Sequence, residues 1–564
     1  MIEPSVGPRG ARALGAVAVG LLTLHLALGW MLRAPALGAG HDDAVYLLLG
    51  RGLFDLSYRS YWIVGAPTAT QYPPVYPALL AISGATAPGG FPHGVALNLL
   101  LSTAALGIFT ALAWRWSPVA AVSALAIAAV NPALLGMAGR VASEPAFGLF
   151  LYLTLWCAVV KPDRWYLGLL AALAAAFSRS IGVAVVAGLF IYWLSQRRWR
   201  PAAWMAMVGG LTLGSWFVRA ALAPGQLPGQ SYLADAQLGL KGPQKRQRAL
   251  LPAPAPAPAG GDTTKAVQPP STKRPVENAL LRTVGAVLRR VRSNISHYAT
   301  RDIPSVFFVP TLPGTIIDNV LWLVVLIGLG GAGAVALGRA NLIGPIVAGC
   351  YFAILFVWPY VLERFLIPVI PMIALVLAEG ARHAFGRIAR WLGPATAAAI
   401  AVVLTATGLA QDRRAFAERA ACDRLRPYRS KGCFERVEFG FLQVVADVDR
   451  LTPPEAALLT PKAASVYYLI GRRAVGERFA GTLDPDQLDG YLRRQGADYV
   501  LVSQIHSDQA TIAEILRARC REWQVIASRG DGGSILLRRG EPGVMPSACE
   551  PLAKTNFTRP PPDR

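Results

Sequence analysis

Two adjacent carboxylates follow the first apolar stretch of the chain. Asp42 and Asp43 begin the run DDAVYLLLGRGL, after an apolar segment that starts near residue 11. Carboxylates near lipid are costly without water or a partner, and neighbouring acids repel each other, which can raise the pKa of one of them. Such an acid suits general-base catalysis. The structural alternative is that either aspartate caps the helix that follows.

Other charged residues lie at the ends of later apolar segments. They are Arg140 and Glu144 in RVASEP, Arg179 in SRS, and Glu363 with Arg364 before FLIP. Each has a structural alternative: Glu144 could cap a helix, Arg179 could extend towards the membrane surface, and Glu363 could pair with Arg364. Their value as site residues depends on whether the fold brings them together.

The composition indicates a membrane protein. Apolar residues make up 54% of the 564 residues and charged residues only 16%, whereas soluble globular proteins carry about 25% charged residues. Disorder is excluded because it requires low hydrophobicity. The predicted fold class is a polytopic α-helical membrane protein with a C-terminal extracytoplasmic α/β domain.

Roughly eleven apolar segments are candidates for membrane-spanning helices, each of which needs about 20 residues. They lie near 11–33, 93–115, 118–136, 144–160, 164–178, 180–195, 201–222, 316–338, 341–358, 364–381 and 391–411. The first is predicted to be an anchor and not a removed signal peptide, because it lacks a small-residue cleavage site and many spans follow.

Basic residues between these segments predict the orientation, since cytoplasmic loops are enriched in Lys and Arg. With a cytoplasmic N-terminus, every predicted cytoplasmic connection is basic: Arg115; Lys161 and Arg164; Arg197, Arg198 and Arg200; Arg339; and Arg382, Arg387 and Arg390. The same orientation places the candidate acids and arginines on the outer side: Asp42, Asp43, Arg140, Glu144, Arg179, Glu363 and Arg364. The predicted location is the inner (plasma) membrane of a cell, with the site and the C-terminal domain outside the cytoplasm.

The domain organisation follows from this topology. Residues 1–411 are predicted to form the transmembrane domain, with outer loops at 34–92 and 223–315. Residues 412–550 are predicted to form the α/β domain, because β-rich runs at 456–475, 497–503, 522–528 and 533–539 alternate with helical segments. Residues 551–564 are predicted to be a disordered tail.

Two features are predicted within the second outer loop. Residues 251–261, LPAPAPAPAGG, are typical of an extended linker. Residues 276–298 form a basic amphipathic pattern with arginines beside one apolar face, which could lie in the membrane interface or pack on the C-terminal domain. The residues of that face are Leu280, Val284, Val287, Leu288, Val291 and Ile295.

The net charge of +22 raises the question of nucleic-acid binding. That function is excluded here because no basic helix with a recognition motif is present. The basic residues instead punctuate apolar runs, which indicates topological signals and contact with anionic membrane lipid.

Six cysteines divide into two groups. Cys157 and Cys350 lie in apolar runs and are predicted to be packing residues. Four others lie in the polar C-terminal part, where their number favours disulfides and an oxidising compartment, with free thiols as the alternative. These four, Cys422, Cys433, Cys520 and Cys549, allow three pairings, which the sequence leaves open.

Acids and arginines on one side of a membrane suit a particular chemistry. Arginine forks bind phosphate oxygens, and a carboxylate accepts the proton of an attacking hydroxyl. A lipid-linked ligand would reach such a site sideways from the bilayer. A required metal is not predicted, although His41, Asp42 and Asp43 are adjacent, because adjacent residues rarely converge on one ion.

The sequence resembles the GT-C superfamily of polytopic glycosyltransferases, and is similar to protein O-mannosyltransferases and the lipid A aminoarabinose transferase, closest to their bacterial relatives. The resemblance spans most of the chain and depends on the order of five motifs. These are DDAVY (42–46), YPPVYP (72–77), SEP (143–145), SRSIG (178–182) and ERFLIP (363–368). The C-terminal runs PKAASVYYLIGRRAV and GADYVLV also resemble the outer domain of such bacterial proteins.

The resemblance implies transfer of a sugar from a polyprenyl-phosphate donor to an unknown extracytoplasmic acceptor, with inversion and without a firm cofactor. It implies that Asp42 is the base, that Asp43 supports the base or binds the acceptor, and that Arg179 and Arg364 bind the donor phosphate. Glu144 would orient a sugar or an arginine. The remaining candidate substrate-binding residues are Tyr46, Tyr72, Tyr76, Arg140 and Glu363. Two departures stand out: Tyr72 occupies the place of a lysine in the aminoarabinose enzyme, and Asp43 often corresponds to a glutamate.

Two other function classes compete with this enzyme. A multi-span transporter or flippase of a lipid-linked or anionic substrate requires ionisable residues near the bilayer midplane and broken helices in repeated halves. No such symmetry is visible, and His25, which lies well inside a span, is predicted to be a packed neutral residue. A non-catalytic scaffold would leave the acids and arginines of the outer side without a role.

Overall fold

The computed structural model describes residues 7–40, 42–223, 276–307, 324–475, 483–505, 509–529, 533–540 and 548–554. These residues form a multi-pass helical membrane part, from residue 8 to residue 419, called the membrane body below, and a mixed α/β part from residue 420 onward, called the C-terminal domain. The predicted linker 251–261 lies outside the described residues.

Apolar helices make up the first half of the membrane body. Their bounds are α1 (Pro8–Met31), α2 (Asp43–Phe54), α3 (Val75–Ile82), α4 (Phe91–Trp114), α5 (Pro118–Ala129), α6 (Pro132–Ala138), α7 (Glu144–Val160), α8 (Trp165–Ser178), α9 (Val183–Ser195) and α10 (Trp199–Leu222). Helices α2 and α3 belong to the first predicted outer loop, and most side chains of α2 are buried.

The second half of the membrane body contains fewer described helices. They are α11 (Val276–His297), α12 (Ile303–Phe307), α13 (Leu326–Ala340), α14 (Ile343–Val357), α15 (Ile370–Gly386) and α16 (Leu392–Arg419). Two short 3-10 turns, Glu363–Phe365 and Ile367–Val369, lead into α15. Helix α16 continues eight residues beyond the predicted boundary at 411 before the C-terminal domain begins.

Five helical segments among the described residues are long and apolar enough to cross a membrane, and the bent pair α5–α6 makes a sixth candidate. The five are α1, α4, α10, α16 and the segment Glu363–Gly386. The other segments that the sequence predicts as spans coincide with shorter apolar helices. A multi-pass membrane protein is therefore confirmed, and the predicted number of about eleven spans stays a prediction.

Helices α5 and α6 form a broken span where the sequence predicts one segment at 118–136. The chain bends by 66° between them. Asn131 caps α6, since its side chain accepts a hydrogen bond from the Leu134 N–H at 3.1 Å, and Pro132 occupies the first helical position. A proline cannot donate the backbone hydrogen bond that a continuous helix requires, so the break is encoded locally.

The predicted basic amphipathic helix is present as α11. It packs against α14, where Asn294 Nδ2 donates to the carbonyl oxygens of Phe356 and Trp358 at 3.0 and 2.9 Å. Val284 and Leu288 are 47% and 62% exposed, so part of the apolar face points away from the protein. An interfacial position for this face stays a prediction.

The C-terminal domain contains a five-stranded mixed sheet of order β2-β1-β3-β5-β4. Strand β1 is parallel to β2 and β3, while the pairs β3–β5 and β5–β4 are antiparallel. Its elements are α17 (Arg436–Leu451), β1 (Leu458–Leu459), α18 (Ala463–Ile470), β2 (Ala474–Val475), α19 (Pro485–Arg494), β3 (Tyr499–Ser503), α20 (Gln509–Ala518), β4 (Trp523–Arg529), β5 (Ser534–Arg539) and α21 (Cys549–Lys554).

Two details of this domain differ from the sequence prediction. Residues 463–470 form helix α18 inside the run 456–475 that is predicted to be β-rich. The helix packs against α2 and ends at Gly471 in the left-handed conformation (φ 72°), so tertiary packing outweighs its β-branched and aromatic composition. Residues 551–554 belong to α21 and not to the predicted tail, whose other residues lie outside the described ranges.

The structure resolves the open question of cysteine pairing. Cys422 pairs with Cys433, and Cys520 pairs with Cys549. Cys157 and Cys350 are free, as predicted for packing residues. The prediction for His25 is also confirmed, because this fully buried side chain contacts the Ala129 carbonyl and the Ser102 hydroxyl at 2.8 and 2.9 Å.

Candidate active site

Asp42 lies at the N-cap position of α2, but its side chain makes no capping hydrogen bond. Instead, Arg364 Nη1 donates to Asp42 Oδ2 at 3.0 Å. Arg364 comes from the 3-10 turn before α15, so the ion pair joins the segment between α1 and α2 to the last third of the membrane body. The capping alternative for Asp42 is therefore wrong, and Arg364 finds its counter-charge far away in the sequence.

A second ion pair joins Glu144 and Arg179. Glu144 is in the first turn of α7, where the helix dipole favours a carboxylate, and Arg179 directly follows α8. Their side chains are only 4% and 11% exposed. A buried charge is strongly unfavourable without its partner, so each of these residues makes the other tolerable in the fold.

Aromatic and hydroxyl groups connect the two ion pairs. The guanidinium carbons of Arg179 and Arg364 lie 5.4 and 5.9 Å from the ring centroid of Phe365. Ser143 Oγ accepts a hydrogen bond from Arg179 Nη1 at 3.3 Å and lies 2.8 Å from Tyr46 Oη. Four segments of the membrane body that are distant in sequence therefore meet in one cluster.

The predicted tyrosines form the wall of this cluster. The Tyr46 ring packs edge-on against Tyr72 and Tyr76, with centroid distances of 5.3 and 4.9 Å. Tyr76 Oη donates to Asn98 Oδ1 at 3.0 Å, and Asn98 Nδ2 donates to the Arg140 carbonyl at 2.6 Å. Helix α4, which carries Asn98, thus fixes both the tyrosine wall and the turn before Glu144.

Asp43 is the acid of the pair with the perturbed environment. It is 4% exposed, and its Oδ1 has no hydrogen-bond partner among the described residues. Burial raises the pKa of Asp43 to about 7. The charge of Arg140 lowers this pKa by a smaller amount, and the charges of Glu438 and Asp42 raise it further. The sequence expectation that one of the two acids has a raised pKa therefore applies to Asp43.

Two predicted site residues lie outside the ion-pair cluster. Arg140 Nε donates to the Gly136 carbonyl at 2.8 Å, and the charge of Arg140 opposes the rise in the pKa of Asp43. Glu363 is an exposed residue in the turn that carries Arg364. The structure thus brings Asp42, Glu144, Arg179, Arg364 and Tyr46 together and leaves these two at the edge.

The described residues were compared with the side-chain groupings that bind metal ions. Within the ranges that the structure describes, no group of three or more His, Cys, Asp or Glu side chains could hold a metal ion. His41, one of the three adjacent residues considered from the sequence, lies outside those ranges.

Several contributing residues are not among the candidates from the sequence. Asn98 carried a usable signal, because an amide inside an apolar span must find partners. Ser143 stands in the SEP motif, and Phe365 follows Arg364, but nothing in their types indicated a role. Glu438 lies in the C-terminal domain, and its charge contributes to the raised pKa of Asp43. Nothing in the sequence indicated this role.

The arrangement defines a polar cluster within an apolar helical body: two arginines, each balanced by one acid, next to a further buried carboxyl. Arg364 Nε is buried and has no hydrogen-bond partner among the described residues. Guanidinium groups present five donors and bind phosphate oxygens in pairs. The cluster therefore has the donors for a phosphate group and the carboxylates for a proton transfer.

Comparison with solved structures places this architecture among known folds. The oligosaccharyltransferase of Archaeoglobus fulgidus, tethered with an acceptor peptide, is 10% identical, with 90% of this chain and 72% of that chain covered and a TM-score of 0.50. ArnT from Cupriavidus metallidurans in the apo state is 13% identical, with 93% and 98% covered and a TM-score of 0.49. The structure of the same ArnT bound to undecaprenyl phosphate is 14% identical, with 92% of this chain and 97% of that chain covered and a TM-score of 0.47.

The match to the oligosaccharyltransferase shows a GT-C-like fold, as predicted, over 90% of the chain at 10% sequence identity. No protein-family model matches the sequence, and no curated protein has a significant sequence match.

Proposed function

We propose that this protein is a membrane glycosyltransferase that moves a sugar from a polyprenyl-phosphate donor to an acceptor hydroxyl outside the cytoplasm. The observation that carries the proposal is the meeting of the Asp42–Arg364 and Glu144–Arg179 ion pairs, whose two guanidinium groups both lie within 6 Å of the Phe365 ring. The GT-C-like fold, shared with an enzyme that transfers oligosaccharides, supports the reaction class.

The two arginines would bind the donor phosphate. Both remain charged at any accessible pH, and together they lie against a single aromatic ring. The buried Nε of Arg364 supplies a donor that an anionic oxygen would satisfy. Negative charge develops on the leaving phosphate as the sugar departs, and preorganised donors at that point stabilise the transition state.

Asp42 would act as the general base. The acceptor oxygen attacks the anomeric carbon, the bond from that carbon to the phosphate oxygen breaks, and the hydroxyl proton passes to the carboxylate of Asp42. Attack opposite to the leaving phosphate inverts the anomeric configuration. Asp43 would support the base or bind the acceptor, and Glu144 would orient Arg179 or the sugar.

The proposed topology has about eleven spans, with the N-terminus in the cytoplasm and the ion-pair cluster outside it. The shorter apolar helices α7, α8, α9, α13 and α14 would then also cross the membrane, with local thinning of the bilayer and snorkelling of flanking side chains compensating for their length. The basic residues in every proposed cytoplasmic connection support this orientation. The two disulfides of the C-terminal domain favour an oxidising outer compartment.

A transfer assay tests the proposal directly. Purified protein in nanodiscs receives labelled polyprenyl-phosphate sugars and candidate acceptors, and the Asp42→Asn variant is compared with Asp55→Asn, an exposed aspartate at the other end of α2. Transfer that is lost in the first variant and kept in the second supports the proposal. Full turnover by Asp42→Asn removes Asp42 from the mechanism, and solute uptake by proteoliposomes without any transfer favours a transporter.

A further inference from the structure

The C-terminal domain holds the segment that leads to the acid pair. Residues 32–40 connect α1 to this region, and the carboxylate oxygen Oε1 of Glu438 accepts hydrogen bonds from two of their backbone N–H groups. The distances are 2.6 Å to Ala39 N and 2.8 Å to Gly40 N. Asp42 follows only two residues later. A single side chain of α17 therefore fixes the backbone next to the proposed base.

Two other elements of the same domain hold this segment. Tyr428 Oη, from the loop closed by the Cys422–Cys433 disulfide, donates to the Leu37 carbonyl at 3.0 Å. Ser465 Oγ, on α18, donates to the Gly38 carbonyl at 3.3 Å. Donors and acceptors of four consecutive residues are thus satisfied by the C-terminal domain, which specifies one path for the backbone.

The carboxylate of Glu438 also lies close to position 38. A Cβ atom there would collide with Oε1 of Glu438, and the carboxylate would have to move away from its present position. Gly38 therefore permits the approach that lets one carboxylate oxygen accept two adjacent N–H groups. Hydrogen bonds to an ionised acceptor are roughly twice as strong as neutral ones, so this contact is the strongest of the three.

We propose that Glu438 is a positioning residue, through which the C-terminal domain sets the location of Asp42 relative to Arg364 and the reacting groups. This inference rests on the proposed function. Glu438 acts through the backbone of residues 39 and 40 and does not contact the substrates. Because a displacement of about 1 Å can cost about a hundredfold in rate, loss of this contact affects the chemical step.

If Glu438 positions Asp42, its replacement should lower the turnover rate and leave the affinity for the donor almost unchanged. The proposed phosphate ligands Arg179 and Arg364 come from the end of α8 and from the turn before α15, whereas Glu438 bonds to the backbone of residues 39 and 40, so donor affinity depends little on it. The Glu438→Ala variant removes the acceptor, whereas Glu438→Gln keeps an oxygen that can accept both N–H groups. The control is Glu435→Ala, an exposed glutamate one turn earlier whose side chain makes no cap.

The experiment measures kcat, the dissociation constant of polyprenyl phosphate and the hydrogen exchange of a peptide covering residues 37–43 in the full-length protein. Glu438→Ala is expected to lower kcat about 10- to 100-fold, to change donor affinity less than threefold, and to accelerate exchange in that peptide. Glu438→Gln is expected to recover most of the turnover and the protection. Glu435→Ala is expected to match the wild type in all three.

The outcomes separate this inference from the proposed function. Unchanged exchange in Glu438→Ala overturns the inference, whether or not the wild type transfers sugar. Faster exchange with a wild-type kcat also overturns it but leaves the glycosyltransferase proposal intact. A wild type without transfer activity on any donor defeats the proposed function and, with it, the positioning role, while the exchange data still report on the contact itself.

Discussion

Asp42 and Arg364 form an ion pair of 3.0 Å although 322 residues separate them in the sequence. Their side chains are 22% and 31% exposed, so both remain accessible from outside the protein. The pair aligns a proposed base with a proposed phosphate ligand, and it does so across the boundary between the first outer loop and the start of α15. A ligand that binds Arg364 therefore also changes the surroundings of Asp42.

Replacement of Arg364 should weaken donor binding more than it weakens folding. A charge-assisted pair of hydrogen bonds contributes about 1.5–3 kcal/mol, so Arg364→Ala is expected to raise the dissociation constant of polyprenyl phosphate about 10- to 100-fold. Arg364→Lys should have an intermediate effect because a lysine is a point charge without a fork. Arg390→Ala, an exposed arginine elsewhere, is the control. Equal affinity in wild type and Arg364→Ala would exclude the phosphate role.

Removal of the Glu144 charge should destabilise the fold, and binding of the donor should restore part of the lost stability. Glu144→Gln leaves the guanidinium of Arg179, 11% exposed, without its counter-charge. Breaking a buried pair from one side costs about 3–5 kcal/mol. The melting temperature should fall, and polyprenyl phosphate should raise it more in the variant than in the wild type, because the phosphate replaces the lost negative charge. An equal shift in both proteins contradicts this role for Arg179.

The structure brings together most of the candidate site residues that the sequence named, while the predicted number of spans stays a prediction. Charged residues are costly in lipid, and the basic loops predict that Asp42, Glu144, Arg179 and Arg364 lie on one side of the membrane. The sequence could not predict which acid meets which arginine, because the partner is chosen by helix packing over hundreds of residues. A pair between the adjacent Glu363 and Arg364 was the structural alternative, and the structure joins Arg364 to Asp42.

Other parts of the fold lacked a usable sequence signal. Glu438 accepts hydrogen bonds from two backbone N–H groups. Almost every residue type has a backbone N–H, so the residues at these positions do not reveal the contact. The helix α18 has a composition typical of a strand, and only its packing against α2 explains its conformation. Asn98 is the exception, because a lone amide within an apolar span demands partners, and those partners are the tyrosine wall and the turn before Glu144.

The proposed orientation can be measured with fusions at defined positions. Alkaline phosphatase fused after residue 554 should be active, because the C-terminal domain is proposed to lie outside the cytoplasm. The same enzyme fused after Arg198, in a proposed cytoplasmic connection, should be inactive, while a cytoplasmic fluorescent reporter should give the opposite pattern. Activity of the phosphatase at both positions, or at the second alone, would reject the proposed topology.

The buried carboxyl of Asp43 should make stability depend on pH in a defined direction. Its pKa is about 7 in the fold and close to 3.8 in an unfolded chain. An acid with a raised pKa stabilises the fold fully below the unfolded value, and this contribution is lost as pH rises through the folded value. Asp43→Asn removes the titration, so its melting temperature relative to wild type should rise between pH 5 and pH 8, by an equivalent of roughly 3 kcal/mol at most. Asp55→Asn, an exposed control, should show no such trend. A difference between Asp43→Asn and wild type that is the same at both pH values would show that Asp43 is ionised throughout, and the raised pKa would then be wrong.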